Sequence, residues 1–196
     1  MKNDIILAGV GGQGILSIAA IIGYVAVQSG RSLKQSEVHG MSQRGGDVQS
    51  HLRISEKEIF SDLIPFGGAD MILSVEPMES LRYLPYLSPQ GWLITNTRPF
   101  KNISNYPDEN ALMQEITALP QHVALDADTI ASELGAAKSA NMVMLGAAAL
   151  FLDLPFEKLK EGIQFIFGKK GDNIVQANLN ALEAGRKFAE KQLRSS

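Results

Sequence analysis

The sequence contains no cysteine, so disulfides, thiolate zinc sites, iron–sulfur ligation and cysteine nucleophiles are all excluded for this chain. If electrons pass through a process this chain serves, another polypeptide carries them. There is no basic excess either: the 196 residues carry a formal charge of -3, and the pI near 5.6 lacks the electrostatic footprint of a nucleic-acid surface. Long hydrophobic runs are also missing. The stretch Ile15 to Val27, softened only by Ser17 and Gly23, is too short to span a bilayer, so no membrane partner is expected. The N-terminal Met1-Lys2-Asn3-Asp4 leads straight into an apolar run with no signal-peptide organisation, and the expected location is the cytoplasm.

What is present is globular. Apolar residues make up 45% and charged residues 20%, with neither repeats nor low-complexity tracts, and the length fits one domain over residues 1–196. The chain opens with Ile5-Ile6-Leu7-Ala8, then Gly9-Val10-Gly11-Gly12-Gln13-Gly14, then the apolar segment from Ile15. This reads as strand, glycine turn and helix. Gly9, Gly11 and Gly14 match G-x-G-x-x-G, whose logic is a tight turn, close backbone approach by a ligand and close helix–strand packing. The helix start would offer free N–H groups and partial positive charge to an anion. The dinucleotide version of the motif also wants an acid at the end of a second strand. The matching region, Arg31 to Val38, is polar with no clean buried strand, and Glu37 is its only candidate. A nicotinamide reading and a purely structural glycine turn both stay open on this motif.

Residues 37–47, Glu37-Val38-His39-Gly40-Met41-Ser42-Gln43-Arg44-Gly45-Gly46-Asp47, show neither helical nor strand period and read as a functional loop. Arg44 beside two glycines is suited to meet a carboxylate or phosphate bidentately; the plainer reading is a solvated Arg–Glu pair within the loop. His39 and His51 lack a third ligand at zinc spacing, so no metal site is expected, and His122 reads as surface. Gly171-Asp172-Asn173 begins like a thiamine diphosphate motif, but the third glycine is missing and the sequence stops too soon for its distal Asn.

The remaining elements follow from period and punctuation. Val48, Ser50, Leu52 and Ile54 alternate as a strand, with Glu58–Ser61 expected to return as its hairpin partner; Met71–Val75 is a central strand and Glu76–Glu79 starts a helix. Pro89-Gln90-Gly91 predicts a turn, residues 92–97 a strand, 98–107 a loop, 108–118 a helix and 123–126 a last strand. Helices are expected at 129–134, stopped by Gly135, then at 141–152, 156–167 and about 174–193. The sum is an α/β fold: a three-layer Rossmann-like domain with a mostly parallel sheet and a helical C-terminal part. The loops after the first strand, at 37–47 and at 76–79 would gather at one mouth, outside the strand ends.

Taken together, Gly9-Val10-Gly11-Gly12-Gln13-Gly14-Ile15-Leu16, Glu37 to Gly46, His51-Leu52-Arg53 and Asn141-Met142-Val143-Met144-Leu145-Gly146 closely resemble the gamma-type subunit or domain of the 2-oxoacid:ferredoxin oxidoreductases, nearest to the beta subunits of the indolepyruvate-using branch. The likeness spans about residues 4–190. It implies a multi-subunit enzyme that oxidatively decarboxylates an aryl 2-oxoacid such as indolepyruvate to an acyl-CoA and passes electrons to ferredoxin. It further implies that thiamine diphosphate and iron–sulfur clusters belong to a large alpha subunit, the expected partner, and that this chain alone is inactive and binds no cofactor by itself. Coenzyme A, a co-substrate, is received with the help of the gamma-type domain in related pyruvate enzymes. On this resemblance Gly9, Gly11, Gly12, Gln13, Gly14, Gln43, Arg44, Gly45 and Gly46 are the expected ligand-binding positions. Glu37, His39 and Arg44 are the candidates for facing the shared active site. A free-standing nicotinamide oxidoreductase and a non-catalytic assembly subunit remain as alternatives.

Overall fold

A computed structural model describes residues 2–39, 46–101 and 103–195, with the backbone alone described at His39 and Ser195. Six strands form one sheet: β1 (Lys2–Val10), β2 (Ser32–His39), β3 (Asp47–Ser55), β4 (Ala69–Ser74), β5 (Leu87–Asn96) and β6 (His122–Leu125), in the order β2-β3-β1-β4-β5-β6. Pairings β1–β4, β4–β5 and β5–β6 are parallel, whereas β3 is antiparallel to both its neighbours, β1 and β2. One strand thus runs against the other five.

The helices are α1 (Ile15–Gln28), α2 (Pro77–Arg82), α3 (Glu109–Ala118), α4 (Ala127–Glu133), α5 (Ala140–Ala148), α6 (Phe156–Phe167) and α7 (Asp172–Ser195). Strand alternation assigns them to two faces. From β1, Ile5 and Leu7 enter a core shared with α1, α5, α6 and α7, while Ile6 and Ala8 face a second, smaller core with Tyr83 and Ile116. The sheet lies between them as the middle of three layers, so its central strand is apolar on both sides.

Several elements differ from expectation. Residues 32–39 form the edge strand β2 although the polar run has no clean buried pattern, and it takes in Glu37 to His39 of the expected loop; Lys34, Gln35 and Val38 are exposed because nothing pairs with its outer side among the described residues. The partner of β3 is therefore β2, in a hairpin whose connection carries Gly40 to Gly45, and Glu58–Ser61 is not a strand. That segment is instead held by Arg53, which donates to the carbonyls of Ser61 and Leu63 at 3.0 Å while gripping buried Asp4 bidentately at 2.8 and 2.9 Å. Pro89-Gln90-Gly91 is not a turn but the start of β5, where the pairing with β4 shifts register. Helix α5 stops at Ala148, earlier than the expected 152.

His51 on β3 is buried, and its Nδ1 accepts the Ile64 amide at 3.0 Å. Burial lowers its pKa, opposed by nearby Asp62 and aided by Arg53. The folded chain thus prefers the neutral ring. The stabilisation is complete above the ordinary value of about 6.5 and is lost as pH falls through the depressed folded value. Thermal midpoints measured from pH 7.5 to 5 should fall more steeply for the wild type than for His51→Asn, whose Oδ1 can replace Nδ1 as acceptor without titrating; parallel curves would contradict this assignment.

Candidate functional site

Strands β1, β4, β5 and β6 run in one direction, so Val10, Ser74, Asn96 and Leu125 end at the same edge of the sheet. The helix after β1 covers one face and the helix after β4 the other, which opens a crevice between their ends, the usual ligand position in such sheets. The glycine turn sits there. Gly12 has φ +101° and Gly14 φ +84°, conformations that glycine adopts cheaply and other residues do not. Gly14 begins α1 with no side-chain cap and no acid in the first turn. The N–H of Gly11 is committed to the Gly46 carbonyl at 2.9 Å and that of Gln13 to Val10 at 3.2 Å. The amides of Ile15 and Leu16 have no backbone partner among the described residues, as expected at an open helix start.

Packing enforces two of these glycines and backbone conformation the third. A Cβ at Gly9 would lie 2.3 Å from Val75 Cγ2, and one at Gly14 2.4 Å from Asn141 Nδ2, whereas one at Gly12 would meet nothing within 4 Å. Gly9 and Gly14 serve close packing; Gly12 leaves its backbone open to a ligand. Gln13 staples the turn, its Oε1 accepting from Val10 N–H at 2.8 Å and its Nε2 donating to the Val75 carbonyl at 3.4 Å.

Around the turn the chain gathers polar residues from far apart in sequence. Asn96, 3% exposed, donates from Nδ2 to the Val75 carbonyl at 3.2 Å and to Asp128 Oδ2 at 2.8 Å, and its Oδ1 accepts from Ala127 N–H at 3.1 Å. Asn141, at the start of α5, donates to the Gly14 carbonyl at 3.1 Å. Gly12, Gln13, Asn96, Asp128, Lys138 and Asn141 line a cleft of about 360 Å³, within the range of small-ligand sites. A hollow of about 330 Å³ on the other side of the turn lies between Gly11, Leu16 and Val48.

A buried acidic group flanks this mouth below β4. Glu76 is fully buried; its Oε2 caps α2 through Glu79 N–H at 2.8 Å, and its Oε1 accepts from Phe100 N–H at 3.2 Å and from the Tyr106 hydroxyl. Burial raises the Glu79 carboxyl above its usual range, and the ion pair with Arg82 at 2.7 Å pulls the other way. The Tyr83 hydroxyl donates to Asp47 at 3.3 Å, and burial first, then the Asp47 charge, pushes its pKa up, so it remains protonated. Asp47 is the first residue of β3, and with the Gly11–Gly46 bond this anchors the exit of the preceding loop beside the glycine turn.

Of the expected site residues, Gly11, Gly12, Gln13, Gly14 and Gly46 converge at the crevice, and Gly9 packs against Val75. Gln43, Arg44 and Gly45 lie outside the described residues, as does the His39 side chain. Glu37 does not occupy the position of a ribose-binding acid: β3 stands between β1 and β2, which displaces the end of β2 about 10 Å sideways from β1. Its carboxylate accepts from Gln35 Nε2 at 3.3 Å on the sheet edge. Asn96, Asp128 and Lys138 carried no sequence signal of a site, and Asn141 stood in a segment that carries the family resemblance without being named as a site residue. Among the described residues no cluster of His, Asp or Glu could hold a metal, and no helix is long and apolar enough to cross a membrane.

The family described as Pyruvate ferredoxin/flavodoxin oxidoreductase matches residues 4–188. Indolepyruvate oxidoreductase subunit IorB of Thermococcus kodakarensis is 36% identical over 202 residues, covering 98% of either chain. Among solved structures, a 2-oxoglutarate:ferredoxin oxidoreductase from Magnetococcus marinus with 2-oxoglutarate, coenzyme A and succinyl-CoA bound shares the fold at a TM-score of 0.76 and 23% identity. The likeness covers 97% of this chain and 31% of that longer one. A keto/oxoacid ferredoxin oxidoreductase gamma subunit from Geobacter sulfurreducens matches at a TM-score of 0.68 and 21% identity, over 97% of this chain and 98% of that chain.

Proposed function

This chain belongs to the pyruvate ferredoxin/flavodoxin oxidoreductase family, and from that premise we propose that it is the gamma-type subunit of a cytoplasmic indolepyruvate-using 2-oxoacid:ferredoxin oxidoreductase. The complex would oxidise and decarboxylate an aryl 2-oxoacid, form its acyl-CoA and deliver the electrons to ferredoxin. Thiamine diphosphate and the iron–sulfur clusters do not fit this chain: it has no cysteine, and its Gly171-Asp172-Asn173 lacks the third glycine of the thiamine motif and opens α7. On this reading those groups belong to the large partner subunit.

The task left to this chain is to hold coenzyme A. The observation that carries the reading is the uncapped, acid-free start of α1 beside Gly12, whose backbone nothing shields: Gly14, Ile15 and Leu16 line the hollow on one side of the turn, and Gln13, Asn96, Lys138 and Asn141 the cleft on the other. Open amides and the helix dipole favour a pyrophosphate at the turn, and Lys138 adds charge from the cleft side. Asp128 is matched to hydroxyl donors, since Asn96 fixes one of its oxygens. Gln43, Arg44 and Gly45 belong to the loop whose exit Gly46 and Asp47 anchor and are proposed to contact the ligand or the partner's shared site, with Glu37 and His39 on the strand that leads into that loop. This supports a subunit that positions a co-substrate over a self-sufficient nicotinamide enzyme, whose ribose acid is misplaced here.

Gly14→Ala tests the reading. The new Cβ must displace Asn141 and strain the αL start of α1, disordering the amides that would meet phosphate. In the assembled enzyme the KM for coenzyme A should rise by about tenfold, equivalent to roughly 1.4 kcal/mol, with the KM for the 2-oxoacid unchanged. Equal effects on both substrates, or none, would contradict it.

A further inference from the structure

Asn96, the last residue of β5, is buried at the cleft beside the glycine turn. A side-chain amide has two N–H donors and an oxygen that accepts twice, and here all four are used. Nδ2 donates to the Val75 carbonyl at 3.2 Å and to Asp128 Oδ2 at 2.8 Å, while Oδ1 accepts from Ala127 N–H at 3.1 Å and from Arg98 N–H at 3.3 Å. The Val75 carbonyl also receives the Gln13 amide at 3.4 Å. One oxygen just past the end of β4 therefore joins the turn after β1 to the end of β5 and, through Asn96, to the first turn of α4. Val75 is itself held, its N–H donating to the Ala8 carbonyl at 3.0 Å and its side chain packed against Gly9. Gln13, Val75, Asn96 and Asp128 all line the same cleft.

We infer that Asn96 is the positioning residue of this cleft: through the Val75 carbonyl it sets the glycine turn and the Asp128 wall as one frame, acting on a ligand through Gln13 and Asp128. The position demands this side chain. Ionised Asp has no donor, Ser and Thr have one, and Gln brings an extra methylene into a packed site. A buried network in which every member is satisfied holds a single arrangement. If one wall shifts against the other, a ligand that spans both is misplaced, and small displacements of that kind carry large kinetic effects. The inference rests on the proposal that the cleft receives coenzyme A.

A double-mutant cycle in the assembled enzyme tests this. Asn96→Asp keeps the shape and removes both donors, and Gln13→Ala removes the bond from the turn to Val75. Each should raise the KM for coenzyme A by about tenfold, and the pair by about tenfold and not about a hundredfold, because either change already breaks the frame; the KM for the 2-oxoacid should not move. A second readout is pH. In Asn96→Asp two carboxylates replace the 2.8 Å bond and share a proton, with the Arg98–Asp126 pair, Lys138 on the cleft wall and Glu76 beyond Val75 as the other charges around them. The KM for coenzyme A, taken as a ratio to the wild type, should therefore rise from about pH 6 to 9 as that proton leaves. Should Asn96→Asp fail to fold, Asp128→Ala, half-buried at the far end of the network, takes its place in the cycle. Multiplying effects, a flat pH ratio, or a lowered thermal midpoint with the KM for coenzyme A unmoved would overturn the positioning role. If Gly14→Ala also leaves that KM unmoved, the coenzyme A reading falls with it.

Discussion

Gly185→Val should destabilise the isolated domain by at least about 3 kcal/mol, which for a chain of this size lowers the thermal midpoint by roughly 10 °C. The cause is the approach of α5 to α7. A Cβ at Gly185 would stand 1.9 Å from the Val143 carbonyl oxygen, and one at Gly146 1.9 Å from that of Leu182. Both obstacles are helix backbone, which cannot swing aside as a side chain can, so the helices must separate. Between them lie Met142, Leu145, Ala181 and Leu182, all fully buried, and separation would open that packing along its length. Gly146→Ala should act similarly. Gly168→Ala is the matched control: it sits in ordinary right-handed helical backbone with open space around it and should be neutral or stabilising by a few tenths of a kcal/mol. Equal midpoints for Gly185→Val and Gly168→Ala would show that the close contact does not hold the two helices.

Arg44→Ala should abolish coupled turnover in the assembled enzyme and leave the fold of this chain intact. The loop that carries it enters β3 at Asp47, where the Tyr83 hydroxyl and the Gly11–Gly46 bond fix its exit beside the glycine turn. Those anchors do not depend on the Arg44 side chain, so far-UV circular dichroism and the thermal midpoint should match the wild type. A guanidinium serving a carboxylate or pyrophosphate contributes charge-assisted, bidentate bonds that lysine's point charge replaces only in part. Arg44→Lys should therefore recover a fraction of the activity. Unchanged turnover in Arg44→Ala would remove this residue from the site.

The sequence was most informative where a single segment carries its own pattern. β1, α1 and α6 fall where their apolar runs and flanking signals put them, because each is buried by neighbours that its period anticipates. β2 was not legible: an edge strand needs no apolar alternation, and the polar run from Arg31 to Val38 shows no clean buried strand until β3 pairs with it. The same omission misassigned the hairpin to Glu58–Ser61. Pro89 misled for a related reason, since proline at the start of β5 is tolerated where register shifts. In the site, the glycine turn was visible because its motif is local. The network around it was not: Asn141 meets Gly14 across 127 positions and Asn96 meets Asp128 across 32, and such convergence is a property of strand order. Glu37 has the spacing from the glycines of a ribose acid, but β3 stands between its strand and β1, which strand order and not spacing decides.

The central claim, that this chain completes a coenzyme A-using oxidoreductase it cannot constitute alone, is tested most directly by reconstitution. The chain is co-expressed with a large subunit bearing the thiamine and iron–sulfur groups, and the purified complex is assayed without oxygen for reduction of ferredoxin dependent on both indolepyruvate and coenzyme A. The account predicts a stable complex, activity that needs both substrates, and none from either subunit alone. Failure to form a complex, together with NAD(H) binding by this chain on its own, would contradict it.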